Sequence, residues 1–475
     1  MNPSLISELE KIIGKDGVLH THEDLAVYSY DSTFEEHQPD VVVLPRTTEQ
    51  VSQVIRLAAQ EKIPVVPRGM ASGLAAASVP FSGGIALSMT RMNRLLEIDE
   101  KNAIAQVEAG IITADLQAAV EKIGLFYPPD PSSIRHSTIG GNIACNAGGP
   151  RCLKYGVTGD YVLGLTVVLA DGQIIHTGGK VIKDVVGYDL TALFTGSEGT
   201  LGVITEALLR LIARPRFMCT ALVEFDSIDD ASVAVNAILA AGIVPATLEL
   251  MDNTAIGCIE EAMHLGLPLD VGAILLIETD GQHEISVSQE IDSSSDICRV
   301  QGARKVTVAR DEPDRRSLWK ARQSLAPSLA RRAPNKLGED ITVPRSAIPE
   351  AVRRLRSISE KYGLPIVIFG HAGDGNLHPN ILFDKRDPEQ WAKVGQMVAE
   401  EFAVALELGG TLSGEHGVGT LKRSYMERAL GPVSIELQRR IKQAFDPMNI
   451  LNPGKVLPDK TINHKNSVNT GVKND

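Results

Sequence analysis

Apolar positions between residues 40 and 215 change period repeatedly, from short continuous runs to helical spacing and back. Asp40-Val-Val-Val-Leu-Pro predicts a compact buried strand, and Thr47-Thr-Glu-Gln50 is a capping-box pattern ahead of Val51, Val54, Ile55 and Ala58 at helical spacing. Ile63-Pro-Val-Val-Pro-Arg-Gly predicts a strand entering a glycine turn. Thr113 to Ile123 predicts a helix stopped by Gly124. Tyr161 to Ala170 is a β-rich run that Asp171-Gly172 turns into Gln173-Ile-Ile-His, a hairpin. Strands and helices mixed in this order predict an α+β domain.

The composition shifts near Ala213-Arg-Pro-Arg216. Beyond it, strands at Ala221-Leu-Val-Glu-Phe and Ala273-Ile-Leu-Leu-Ile-Glu alternate with helices over Pro349 to Tyr362 and Pro388 to Leu408. In the last of these Trp391, Val394, Val398 and Phe402 are expected to face inward. The expected organisation is a helical lead-in over 1–35, a first domain over 36–215, a second α+β domain over 216–457 and a disordered tail over 458–475, which has no apolar period.

A chain of 475 residues exceeds one hydrophobic core, which agrees with two domains. Hydrophobic residues make up 43% and charged residues 22%, a globular balance. The formal net charge of −12 argues against a general affinity for nucleic acid or anionic membrane. Cys145, Cys152, Cys219, Cys258 and Cys298 form no Cys-x-x-Cys, so neither an iron–sulfur nor a zinc-ribbon pattern is present. Their odd number and scatter suit a reduced, cytoplasmic protein. MNPSLISELEKIIG lacks the layout of a secretory signal, and no apolar run approaches the ~20 residues of a spanning helix.

Three glycine-bearing segments adjoin strand-like runs: Pro67-Arg-Gly-Met-Ala-Ser-Gly-Leu74, Ser137-Thr-Ile-Gly-Gly-Asn-Ile-Ala-Cys-Asn-Ala-Gly-Gly149 and Gly196-Ser-Glu-Gly-Thr-Leu-Gly-Val-Ile204. Any one alone reads as a tight turn; three together point to a ligand approached closely by backbone, with amides forming an anion-binding nest and Arg68 as the cation at hand. A Rossmann site is disfavoured, because no Gly-x-Gly-x-x-Gly with a following acidic residue succeeds a first strand.

In the second half, Gly-His371-Ala-Gly-Asp-Gly-Asn-Leu-His378 places two histidines on either side of a tight turn, and Ser413-Gly-Glu-His-Gly-Val-Gly419 adds Glu415 and His416. Two histidines and a carboxylate suit an open divalent-metal site. The same set would also suit a water-activating zinc hydrolase, although no His-Glu-x-x-His helix accompanies it.

PRGMASGL, DPSSIRHSTIGGNIACNAGG, KYGVTGDYVLGLTVVLADG and LFTGSEGTLGVIT together resemble the FAD-binding domain of the vanillyl-alcohol oxidase/p-cresol methylhydroxylase superfamily. The resemblance implies FAD between two α+β subdomains. Pro67, Arg68, Gly69, Ser72 and Gly73 would belong to one pyrophosphate loop, and Ser137, Thr138, Gly140, Gly141, Asn142, Gly148 and Gly149 to the other. Glu198 and Ile204 would lie near the adenine end. Met70 stands in the first loop and no histidine, so a non-covalent flavin is implied.

GHAGDGNLHPN, SGEHGVG and FDPMNILNPGK resemble the C-terminal domain of FAD-linked D-2-hydroxy-acid dehydrogenases, whose substrates include glycolate, D-lactate and D-2-hydroxyglutarate. With the first half, the match covers about residues 36–457 and implies a substrate-cap domain with an antiparallel sheet. By this resemblance His371, His378 and Glu415 hold a divalent metal, zinc or manganese, and His416 is the general base. Arg322 would grip the substrate carboxylate, with Asn380 and Lys336 as further substrate contacts, and Asn452 would join the cofactor site. The implied reaction is oxidation of glycolate or D-lactate to the 2-oxo acid by hydride transfer to flavin N5. Electrons would pass to an iron–sulfur subunit, an electron-transfer flavoprotein or a quinone, with any membrane association made through a partner. Alternatives are a D-2-hydroxyglutarate dehydrogenase, a flavin-carrying subunit of a larger complex, and ether-lipid synthesis on the same fold.

Overall fold

A computed structural model describes residues 2–459. The chain divides into two compact units. The first comprises the chain up to Gly149, Val157–Arg214 and the segment from Glu415 onward; the second comprises Pro150–Gly156 and Pro215–Gly414. A boundary near Arg216 lies beside one crossing of the chain between these units, and the chain returns to the first unit from Glu415 onward. The physical reason is burial: Ile450 and Leu451 complete a core of the first unit, and Phe445 meets Phe194 edge-on at 5.5 Å. The tail beyond 459 lies outside the described residues.

The first unit contains two main sheets. In one, Val18–Leu19, Val41–Val43, Ile85–Ser88 and Val65–Arg68 lie in that spatial order, the last three parallel. The helix Thr48–Glu61 joins two of these strands and buries Val51, Val54, Ile55, Leu57 and Ala58. Its cap differs from the ideal box by one residue. The Thr47 hydroxyl accepts from Gln50 N at 3.2 Å, while Gln50 Oε1 reaches back to Arg46 N at 2.7 Å. The other sheet is antiparallel, in the order Leu95–Asp99, Ile104–Glu108, Val203–Arg210, Val162–Val168, Ile174–Gly178. The hairpin expected at Asp171-Gly172 joins its last two strands. Helices Thr113–Glu121 and Ile139–Cys145 contribute Leu116, Val120, Ile139 and Ile143 to the core with Val167 and Leu209.

The second unit is organised on one antiparallel sheet, eight-stranded among the described residues. The path runs Ala303–Val308, Phe217–Phe225, Ala273–Gly281, Thr247–Asp252, Ile366–His371, Asn376–Phe383 and Asn335–Gly338, with Ile341–Thr342 also paired to Asn376–Phe383. Met251, Val367, Phe369 and Leu382 on one face pack with Ile256 and Ile259 of helix Asn253–Met263 and Leu325 and Leu329 of helix Glu312–Arg332. The helix Pro388–Glu407 forms as the pattern predicts, with a shifted stripe: Val394, Met397 and Phe402 are buried, whereas Trp391 and Val398 are half-buried.

Candidate active site

Each glycine segment of the first unit has a distinct role. Strand Val65–Arg68 ends in a loop where Ala71 takes a left-handed conformation at φ 54°. That geometry disfavours an L residue with a side chain. Among the described residues, the amides of Met70, Ala71, Ser72 and Gly73 donate to no protein acceptor. A Cβ on Gly69 would lie 2.2 Å from Thr138 Oγ1, so the first loop sits hard against the cap of helix Ile139–Cys145. In the second segment the amides are already engaged: Ile139 N with Ile111 O, Gly140 N with Ala109 O, Gly141 N with Thr138 Oγ1 and Asn142 N with Thr138 O. Ser137 and Asn142 both bond the Thr113 hydroxyl, and Gly148 and Gly149 are buried. The third segment braces the second, through Gly196 N to Ile143 O and Glu198 N to Ala144 O. Met70–Gly73 is therefore a run of successive amides open to a ligand among the described residues.

Several expected cofactor contacts have other partners. Arg68 is buried, and its terminal nitrogens donate to Tyr28 O at 2.7 Å and Tyr30 O at 3.2 Å. The Ile204 side chain belongs to the hydrophobic core. Glu198 is buried, and its carboxylate accepts from Val418 N at 2.6 Å and Gly419 N at 2.8 Å. Asn452 donates to Ala77 O and Glu198 O, while its Oδ1 is buried without a protein partner. Open loop amides and an orphaned buried acceptor fit a ligand carrying both phosphate oxygens and donor groups, which FAD does.

In the second unit, strand periodicity gathers the chemistry on one face. Antiparallel register sets Glu249 opposite His371, Phe369 opposite His378, and Lys336 opposite Leu382, so residues two apart along each strand share that side. His378, Asn380, Lys336 and Glu249 thus stand on the face covered by helix Glu312–Arg332. From that helix Arg322 reaches down, its guanidinium 4.9 Å from the Phe369 ring centre. Glu249 joins the set: one carboxylate oxygen accepts from Arg322 Nε at 2.5 Å and the other pairs with His371 Nδ1. Burial opposes ionisation of Glu249, but His371 and Arg322 outweigh it and hold its carboxyl at about 2.

Fixing Nδ1 of His371 aims its Nε2 away from Glu249. His378 Nε2 stands 3.4 Å from it, the rings crossing at 84°. Two nitrogen ligands at about 2.0–2.1 Å in a tetrahedral shell lie roughly 3.3–3.4 Å apart, so this pair fits one divalent ion. Asn380 donates to His378 O at 2.9 Å, and Gly338 is needed beside it, since a Cβ there would lie 2.5 Å from Asn380 Oδ1. Lys336 is half-buried with no ion pair among the described residues, and burial lowers its pKa. Glu415 and His416 directly follow Gly414 and open the last segment of the first unit. Glu249 is the residue that motif reasoning misses. Its signal is a carboxylate between Leu248 and Leu250 in Thr247–Asp252, a strand buried along its whole length.

Comparison with known proteins agrees with this division of labour. Residues 39–178 match the FAD binding domain and residues 214–456 match the C-terminal domain of FAD linked oxidases. The chain belongs to the FAD-linked oxidase family and is an FAD-dependent oxidoreductase. It is 47% identical over 450 residues to glycolate oxidase subunit GlcD of Bacillus subtilis, covering 94% of this chain and 96% of that one. To D-lactate dehydrogenase of Anaerostipes hadrus it is 34% identical over 472 residues, covering 96% and 98%. The fold is that of p-cresol methylhydroxylase, with a TM-score of 0.80 at 18% identity over 95% of this chain and 96% of that one.

Proposed function

We propose that this chain oxidises a small 2-hydroxy acid, glycolate or D-lactate, to the 2-oxo acid and passes the electrons to an acceptor other than a nicotinamide. The observation that carries the reading is the buried carboxylate of Glu249, which ties the Arg322 guanidinium and the His371 imidazole into one rigid unit. Flavin bound non-covalently supplies the acceptor for the hydrogen that leaves Cα with its electron pair. A divalent metal, zinc or manganese, on His371, His378 and Glu415 supplies Lewis acidity toward the substrate hydroxyl.

The chain's own residues do the rest. Arg322 is held at Nε by Glu249, which leaves its two terminal nitrogens to grip the substrate carboxylate as a fork. Asn380 borders the same ground, and His416 takes the hydroxyl proton as the Cα hydrogen departs. Met70–Gly73, Asn452 and the braced segments at 137–149 and 196–204 form the cofactor side. The Bacillus subtilis relative is named as a subunit of glycolate oxidase, which supports transfer to a partner protein such as an iron–sulfur subunit or electron-transfer flavoprotein, or to a quinone. No described helix is long and apolar enough to cross a membrane.

Lys336 favours a second reading, a hydroxy dicarboxylate such as D-2-hydroxyglutarate, because it adds to the same face a half-buried amine with no ion pair among the described residues. Dye reduction with glycolate, both lactate enantiomers and D-2-hydroxyglutarate separates the two. Glycolate or D-lactate turning over fastest supports the first reading. Preference for the dicarboxylate, lost in Lys336→Met, supports the second. His416→Ala is expected to keep its flavin and lose roughly 100- to 10,000-fold in turnover; retention of full turnover removes His416 from its role.

A further inference from the structure

Two buried carboxylates outside the proposed catalytic set lie on the residues flanking Glu415 and His416. Asp340 is fully buried, and its Oδ2 accepts from the Ser413 hydroxyl at 2.7 Å and from Gly414 N at 3.0 Å. Its Oδ1 accepts from Asn376 Nδ2 at 2.6 Å. Asn376 faces His371 across the hairpin and stands two residues before His378. One aspartate thus links the histidine hairpin to the backbone immediately before Glu415. On the far side, Glu198 holds Val418 N at 2.6 Å and Gly419 N at 2.8 Å, one oxygen each.

The glycines show how tightly this stretch is drawn in. A Cβ on Gly414 would lie 2.4 Å from Thr342 Oγ1 and 2.5 Å from Asn376 Nδ2. On Gly417, at φ +84°, it would lie 2.8 Å from Glu198 Oε1, and on Gly419, at φ +50°, 1.8 Å from Ala75 O. Burying a carboxylate is costly, and charge-assisted bonds to backbone amides are shorter and stronger than neutral ones. Two such groups within six residues of chain, one on each side of a single histidine, exceed what closing a loop requires.

We propose that Asp340 and Glu198 are positioning residues for His416, pinning the backbone on both sides of it so that its imidazole meets the substrate hydroxyl in a fixed pose. The inference rests on the reading of His416 as the base. Misplacing a catalytic group by about 1 Å costs on the order of 100-fold, so the clamp belongs to the rate and not to substrate affinity.

The test is a set of cycles on the flavin-loaded enzyme: Asp340→Asn, Glu198→Gln and His416→Ala, singly and each clamp variant combined with His416→Ala. Flavin content, the anaerobic rate of flavin reduction at saturating substrate, KM, and backbone amide exchange at Gly414, Val418 and Gly419 are read for each. Each clamp variant is expected to keep its flavin and to lose about 10- to 100-fold in reduction rate. KM should stay within about threefold, because an interaction realised only in the transition state is being removed. Exchange should quicken at Gly414 in Asp340→Asn and at Val418 and Gly419 in Glu198→Gln. In the His416→Ala background neither change should slow the residual rate further, since both act through the residue already gone.

Wild-type reduction rates in both clamp variants overturn the proposal, as does the same additional loss when His416 is already absent. Full turnover in His416→Ala alone instead defeats the base assignment. Should a carboxylate variant fail to retain flavin, Ser413→Ala and Gly417→Ala disturb the same two contacts without touching either acid, and unchanged rates in both again overturn the proposal.

Discussion

Glu249 is fully buried, with one carboxylate oxygen on the Arg322 guanidinium and the other on the His371 imidazole, so it orients both. Glu249→Leu leaves Arg322 buried without its partner and is expected to cost about 3–5 kcal/mol in unfolding free energy, read by denaturant titration. Glu249→Gln keeps the shape and one acceptor. It should be milder in stability while raising KM, since the Arg322 fork is no longer aimed. Unchanged KM would separate Arg322 from substrate binding. Lys455 supplies a pH test. It is buried with its ammonium on Ala76 O and Val79 O, and burial lowers its pKa from 10.5 to about 7 against the pull of Asp31 and Glu198. Between about pH 7 and 10.5 the unfolded chain holds a proton that the folded chain lacks, so stability from this group rises with pH across that window. The wild-type thermal midpoint should therefore climb relative to Lys455→Met from pH 7 to 9, and parallel curves would contradict the assignment.

At the scale of elements, the hairpin Ile366–His371 to Asn376–Phe383 and the segment Thr411–Gly419 carry the residues proposed for catalysis, and both are drawn in by close packing at glycines. Gly414→Ala is the direct probe. With a Cβ 2.4 Å from Thr342 Oγ1, the segment must shift, at a cost of about 1–3 kcal/mol in stability and a larger relative loss of turnover. Equal activity would show that the segment tolerates displacement. These elements were legible in advance because glycine and histidine crowd into short motifs, and because alternation marks the strands. The partners that orient them were not. Glu249 comes from another strand and Asp340 from the link between two short strands, while Asn376 sits in the histidine hairpin itself, and each looks in isolation like an ordinary polar residue. Arg68 reads as a phosphate ligand from its place beside a glycine turn, yet the carbonyls of Tyr28 and Tyr30, some forty residues earlier, take its guanidinium.

At the scale of the whole molecule, sequence pattern found the mixed architecture, and the composition change near Arg216 lies beside one crossing of the chain between the two units. The return of the chain to the first unit after Gly414 was not legible. Helix Pro432–Phe445 and the strand-like residues Ile450 and Leu451 look the same whichever core receives them. That return assigns His371 and His378 to one unit and Glu415 and His416 to the other. On the proposed metal assignment, chelator is expected to lower turnover and the thermal midpoint without releasing flavin, with both restored by zinc or manganese. Loss of flavin on chelation would instead place the metal in the cofactor site.

The most direct measurement mixes flavin-loaded enzyme anaerobically with a 2-hydroxy acid and follows the flavin's visible absorbance. Glycolate or D-lactate should bleach it in one exponential step, L-lactate should not, and His416→Ala should leave it oxidised on the same timescale. A flavin-replete enzyme that no 2-hydroxy acid bleaches, or one bleached equally fast without His416, would contradict the account.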